Sequence, residues 1–266
     1  MEKKQLHTER GDIVYWIHKK QSSEKAIMFT HGVTADHTLF SRQIAYFSKD
    51  YTVILWDMPL HGESRPYKNF TFENVANDMK NILDEEEITH IAMAGQSAGG
   101  YAVQAFLLQY PNMVDAFIAI DSSPFGRKYY SSMDLFLVKH YKGIAKLYPY
   151  HTYCKQASKA AAYTKEAQES FYDCLIRLGK DGMLEAADAV YQDFSNYDEV
   201  DIKCPVLLLL GEYDKTGYVR KYNQKWNKEK GYPLEIIPKS AHNSNQDNYR
   251  FFNQVVDGFL KENVYH

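Results

Sequence analysis

The segment Gly95-Gln96-Ser97-Ala98-Gly99-Gly100 constrains this chain more than any other stretch. It follows the apolar run Ile91–Ala94 and opens a stretch that carries Ala102, Val103, Phe106 and Leu107. A serine on such a sharp strand-to-helix turn takes a strained backbone conformation. Glycines two residues to either side remove Cβ atoms that would collide. The turn lifts the serine Oγ above a sheet, at a helix N-terminus whose dipole and free N–H groups favour developing negative charge.

The rest of the chain supplies a sheet to carry that turn. Strands are predicted at Ile13–Ile17, Ala26–Phe29, Thr52–Trp56, Ile91–Ala94, Ala116–Ile120, Val206–Leu210 and Leu234–Ile237. Several are apolar throughout, as in parallel strands buried on both faces. Between them lie helical patterns. Phe72, Val75, Ala76, Met79, Ile82 and Leu83 form one apolar face with Thr71 as N-cap, and Phe251 to Leu260 repeat the period. Strand–helix alternation predicts the α/β class, a mostly parallel sheet with helices on both faces. It breaks between Phe125 and Asn196, where Met133–Val138, Ala157–Ala162, Phe171–Leu178 and Met183–Val190 all suit helices. The expected organisation is a core domain of residues 1–124 and 197–266, with residues 125–196 inserted as a helical cap.

An activated serine needs a base, and the base needs an orienting acid. Among ten histidines, His242 is best placed, in a loop between the last strand and the last helix. Open α/β sheets place ligands at such strand ends. His31 and His61, each followed by glycine, suit backbone shaping instead. For the acid, Asp214 follows the Val206–Leu210 strand and Asp121 follows the Ala116–Ile120 strand, with Glu212 as a further candidate. Asp214 is favoured because it lies one strand before the histidine loop. An oxyanion needs two donors. Ala98 N–H, after the nucleophile, is one; Val33 N–H, with Thr34 next, is the other.

Composition excludes several alternatives. Lys plus Arg total 31 against 34 Asp plus Glu, a net charge of −3, so no nucleic-acid partner is expected. No apolar run approaches the roughly 20 residues that cross a bilayer, and no membrane partner is expected. Three cysteines, Cys154, Cys174 and Cys204, read as reduced thiols of a cytoplasmic protein. No metal-ligand spacing and no Gly-x-Gly-x-x-Gly loop occurs. The sequence leaves the oligomeric state open.

With His31-Gly32, Asp57-Met58-Pro59-Leu60-His61-Gly62, Gly95-Gln96-Ser97-Ala98-Gly99-Gly100, Gly211-Glu212-Tyr213-Asp214 and Ala241-His242 in this order, the chain resembles the capped α/β-hydrolases. The loop after Asp57 departs by carrying Pro59-Leu60 where many relatives have glycine before the histidine. The resemblance implies a Ser97–Asp214–His242 triad, an oxyanion hole from Val33 and Ala98, a small-molecule substrate and no cofactor. Serine at position 97 separates the chain from relatives with an aspartate nucleophile. Esterases, lactonases, carbon–carbon bond hydrolases and non-catalytic ligand receptors of this fold remain open, with ester hydrolysis expected first. Candidate substrate contacts are His31, Gly32, Thr34 and Gln96, and Tyr129 and Tyr130 in the insertion. Ten of the 22 tyrosines fall between Phe125 and Tyr197, which suits a lid over a small, partly apolar ligand.

Overall fold

The computed structural model describes residues 1–21 and 23–265. The first half runs β1 (Glu2–Thr8), β2 (Gly11–His18), β3 (Ala26–Thr30), α1 (Ser41–Phe47), β4 (Thr52–Trp56), α2 (Phe72–Glu85), β5 (Ile91–Gln96), α3 (Ala98–Gln109) and β6 (Val114–Ile120). Four helices follow: α4 (Ser132–Lys139), α5 (Tyr141–Ala145), α6 (Tyr150–Ala161) and α7 (Lys165–Asp193). The chain then closes with β7 (Val206–Gly211), α8 (Val219–Lys230), β8 (Leu234–Ile237), α9 (Ser244–Asp247) and α10 (Tyr249–Asn263).

The eight strands form one sheet in the order β1-β2-β4-β3-β5-β6-β7-β8. Only the β1–β2 and β2–β4 pairs are antiparallel; from β4 to β8 the sheet is parallel. Ala26 and Met28 of β3 face a core that includes α2, α3 and Trp226 of α8. Ile27 and Phe29 face the opposite core, with Phe47 of α1 and Phe252, Val256 and Leu260 of α10. Both faces of the central strands are covered, which is why those strands are apolar at every position. Thr71 caps α2 as predicted, its Oγ accepting the Asn74 N–H at 3.0 Å.

Two expectations need correction. Seven strands are predicted and eight are present. β1 is a polar edge strand whose alternate residues face solvent, and of its side chains only Leu6 packs on the core. It carries no apolar run and is held by its ladder to β2. The predicted helices Phe171–Leu178 and Met183–Val190 belong to the single span α7, which breaks at Gly179 (φ 77°, ψ 164°). Between β6 and β7 every regular element among the described residues is helical. Ala145, Leu178, Met183 and Leu184 give this segment a small core of its own. No helix among the described residues is long and apolar enough to cross a membrane.

Candidate active site

Ser97 stands alone between the end of β5 and the start of α3, with φ 52° and ψ −117°. Its neighbours permit this. A Cβ on Gly99 would lie 2.1 Å from the Thr30 carbonyl oxygen, and one on Gly95 would lie 2.4 Å from the Gly99 oxygen. No side chain fits at either position. The Ser97 N–H donates to the Ile120 carbonyl at 2.9 Å, and the Ser122 hydroxyl donates to the Ser97 carbonyl at 2.7 Å. The strained residue is thus fastened from both sides, and its Oγ faces a cavity.

Asp214 and His242 come together from the ends of β7 and β8. The His242 Nδ1 lies 3.0 Å from Asp214 Oδ2, and the Thr216 N–H donates to Oδ1 at 2.8 Å. Arg220 braces the acid's loop by donating to the Gly211 and Glu212 carbonyls at 2.7 and 2.6 Å. Gln96, next to Ser97, donates its amide to the His242 carbonyl at 2.8 Å, so the serine and histidine loops are tied directly. Ser97 Oγ itself makes no hydrogen bond to a protein group among the described residues.

The rival acid, Asp121, is fully buried and makes no bond to His242. Its Oδ1 accepts the Gly211 N–H at 2.6 Å; its Oδ2 lies 2.5 Å from Ser244 Oγ and 3.3 Å from Ser244 N. It therefore links the acid strand to the loop just after His242. Burial first, then the charge of Asp214, push the Asp121 carboxyl up to about 8. Burial acts in the same sense on Asp214. There the facing His242 and the Thr216 N–H outweigh it and hold the group below its usual range. Two buried acids in adjacent strands are thus pushed apart, and Asp214 is the one ionised at neutral pH. Burial also opposes a charged His242, but Asp214 dominates and raises its pKa above the ordinary 6.5.

The two expected oxyanion donors border the cavity. Val33, Ser97 and Ala98 all line the cavity. Ala98 is the first residue of α3, so its N–H has no acceptor within the helix. A Cβ on Gly32 would lie 2.2 Å from Gln96 Oε1 and 3.0 Å from Ser97 Cβ, so this loop runs hard against the serine.

Most of the expected substrate contacts sit elsewhere. His31 is fully buried; its Nδ1 lies 2.8 Å from the Gly32 carbonyl and its Nε2 accepts the Met58 N–H at 3.0 Å. Burial lowers its pKa, and the neutral ring shapes the loop. Gln96 is engaged with His242, and Thr34 is buried with φ 66°. Tyr129 points to Glu199, away from the cavity. Of the six, only Tyr130 lines the cavity. Its hydroxyl lies 2.9 Å from Ser123 Oγ and donates to the Pro124 carbonyl at 2.6 Å. Sequence reasoning missed Ser244 and Asp247, short polar residues in a helix of four. Asp247 accepts the Ala241 N–H at 2.9 Å and the Thr164 N–H at 2.7 Å, joining the histidine loop to the α6–α7 junction. No periodicity marks such a role.

The cavity measures about 310 Å3. Its floor is Val33, Ser97 and Ala98, and its walls are largely tyrosine: Tyr101, Tyr130, Tyr141, Tyr191, Tyr218 and Tyr222.

Residues 25–152 match the family of the alpha/beta hydrolase fold. An esterase from Thermogutta terrifontis superposes with a TM-score of 0.82 at 17% identity, covering 98% of this chain and 99% of that one. The chain has the α/β-hydrolase fold. A probable alcohol acetyltransferase of Wickerhamomyces anomalus is 27% identical over 44% of this chain. A strigolactone esterase of Pisum sativum is 29% identical over 39% of it. The matches cover 38% and 40% of those relatives' own lengths.

Proposed function

We propose that this protein is a serine hydrolase that cleaves small, partly apolar or aromatic esters through an acyl-enzyme on Ser97. The observation that carries the reading is the strained Ser97, at φ 52°, on the cavity surface and tied through the adjacent Gln96 to the His242 that Asp214 bonds. His242 Nε2 takes the Ser97 proton as Oγ attacks the acyl carbonyl. The Ser97–His242 hydrogen bond is taken to close when substrate is seated. Val33 and Ala98 N–H groups hold the oxyanion, each donor contributing roughly 2.7–4 kcal/mol at the transition state. His242 then protonates the leaving alcohol. Water, deprotonated by the same imidazole, attacks the acyl-enzyme and releases the acid. Asp214 fixes the tautomer and stabilises the imidazolium.

The helices of residues 125–196 act as a cap in this reading, supported by Tyr130, Tyr141 and Tyr191 reaching the cavity from them. The unpaired thiols Cys154, Cys174 and Cys204 support a reducing, cytoplasmic location. The esterases among the structural and sequence relatives support the reaction class. A panel of 4-nitrophenyl esters tests it. Turnover with a burst of nitrophenol equal to the enzyme concentration is expected. Tight ligand binding with no turnover, unaltered in Ser97→Ala, overturns it in favour of a receptor.

A further inference from the structure

One corner of the cavity departs from the apolar remainder. Asp134 lines it together with Tyr130, Tyr218 and Tyr222. Among the described residues no Lys or Arg lines the cavity, and Asp134 is the one carboxylate that does. Asp134 is buried, 6% exposed, and sits at the start of α4, where its Oδ2 caps the helix through Ser131 N–H and accepts the Tyr222 hydroxyl. Both partners use Oδ2; Oδ1 makes no hydrogen bond among the described residues. The Tyr130 and Tyr222 rings lie 4.5 Å apart, and Tyr218 stands edge to face with Tyr222 at 6.3 Å. A buried carboxylate beside three tyrosine rings attracts a large, weakly hydrated cation.

The chain already shows that attraction from outside. The Lys221 ammonium lies 4.7 Å from the Tyr222 ring centre, 5.4 Å from that of Tyr218 and 3.9 Å from Asp134 Oδ2. Its side chain is 60% exposed, it does not line the cavity, and such a pair is weak in water. Lys221 also donates to the Tyr222 hydroxyl at 3.2 Å, while the cavity-lining parts of Asp134, Tyr130, Tyr218 and Tyr222 are left for a ligand.

We propose that this corner binds the cationic group of the substrate, so that Ser97 acts on ammonium-bearing esters in preference to neutral ones and against carboxylate-bearing ones. The substrate class rests on the hydrolase reading; the cation site does not.

Two measurements separate these claims. The first is calorimetry of choline against its uncharged carbon isostere, 3,3-dimethylbutan-1-ol. Choline binds at least about tenfold tighter in the account. Asp134→Asn, which keeps an oxygen for Tyr222, brings the ratio to within about threefold. Lys221→Gln, outside the cavity, increases the ratio. If Asp134 serves only to cap α4, Asp134→Asn lowers Tm and leaves the ratio unchanged. That outcome overturns the proposal, as does equal or weaker binding of choline, or no binding of either compound. The second is kcat/KM for acetylthiocholine against S-(3,3-dimethylbutyl) thioacetate. A preference for the cation that falls in Asp134→Asn supports the substrate class; no preference overturns it. Failure of both esters to turn over, with choline bound tightly, removes the hydrolase reading and leaves the cation site standing.

Discussion

The floor and the walls of the cavity are built by different means. The floor lies on the loops after β3 and β5, braced from behind by buried, hydrogen-bonded residues on the loops after β6, β7 and β8. Ser97 is clamped between Ile120 and Ser122, His242 between Asp214 and Gln96, and Asp121 ties Gly211 to Ser244. The walls come largely from α4, α7 and α8 and present tyrosine faces. The outer surface of α4 is loosely covered, with Met133 64% and Phe136 56% exposed. Chemistry fixes reacting atoms to within a fraction of an ångström, whereas enclosing a ligand requires only shape and polarity. Damage to the floor should therefore cost orders of magnitude in rate, and damage to the walls small factors.

The largest effect is expected for Ser97→Ala, with kcat on a 4-nitrophenyl ester falling by about 10^6. Asp214→Asn follows, with a fall of about 10^4, because the wrong imidazole tautomer is then held. The same pair sets the pH profile. His242 must be neutral to accept the Ser97 proton, and its pKa is raised by Asp214. In the wild type kcat/KM should rise with pH through a midpoint above 6.5, and in Asp214→Asn the midpoint of the residual activity should move down. A wild-type midpoint below 6.5 contradicts this electrostatic account.

Asp121→Asn sharpens the contrast within the floor. Asp121 is held up near pH 8, largely protonated at neutrality. Its amide replacement keeps an acceptor for the Gly211 N–H but turns an NH2 toward Ser244, whose N–H and hydroxyl donate to Oδ2. Activity should fall by no more than about tenfold, the worth of one altered hydrogen bond. A loss matching that of Asp214→Asn would move the acid to Asp121. The smallest effect is expected in the walls. Tyr191→Leu keeps an apolar surface and should change kcat/KM for a phenyl ester by about threefold. A loss of several orders of magnitude there would erase the distinction between floor and walls.

The same distinction explains what could be read from the sequence. The turn around Ser97 is visible because Gly95 and Gly99 each meet a carbonyl oxygen that excludes any side chain. Asp214 and His242 are visible because each follows an apolar strand. The sheet is visible from β3 to β7 because burial on both faces favours near-continuous apolar runs. β1 is invisible for the opposite reason, since an edge strand facing solvent needs no pattern beyond its ladder. The bracing residues, Asp121, Ser244 and Asp247, act through contacts between loops distant in sequence, which no local spacing records. The walls are hardest of all. Ten tyrosines fall between Phe125 and Tyr197, yet only Tyr130, Tyr141 and Tyr191 of them reach the cavity, while Tyr101, Tyr218 and Tyr222 enter from the core. Tyrosine packs helices as readily as it meets ligands, and only tertiary packing separates the two uses.

The central claim is that Ser97 is an activated nucleophile. Intact-mass measurement after treatment with a fluorophosphonate tests it most directly, on the wild type beside Ser97→Ala. The account predicts a single adduct on the wild type and none on the variant. A well-folded wild type that takes no adduct, or an adduct that persists in Ser97→Ala, would contradict it.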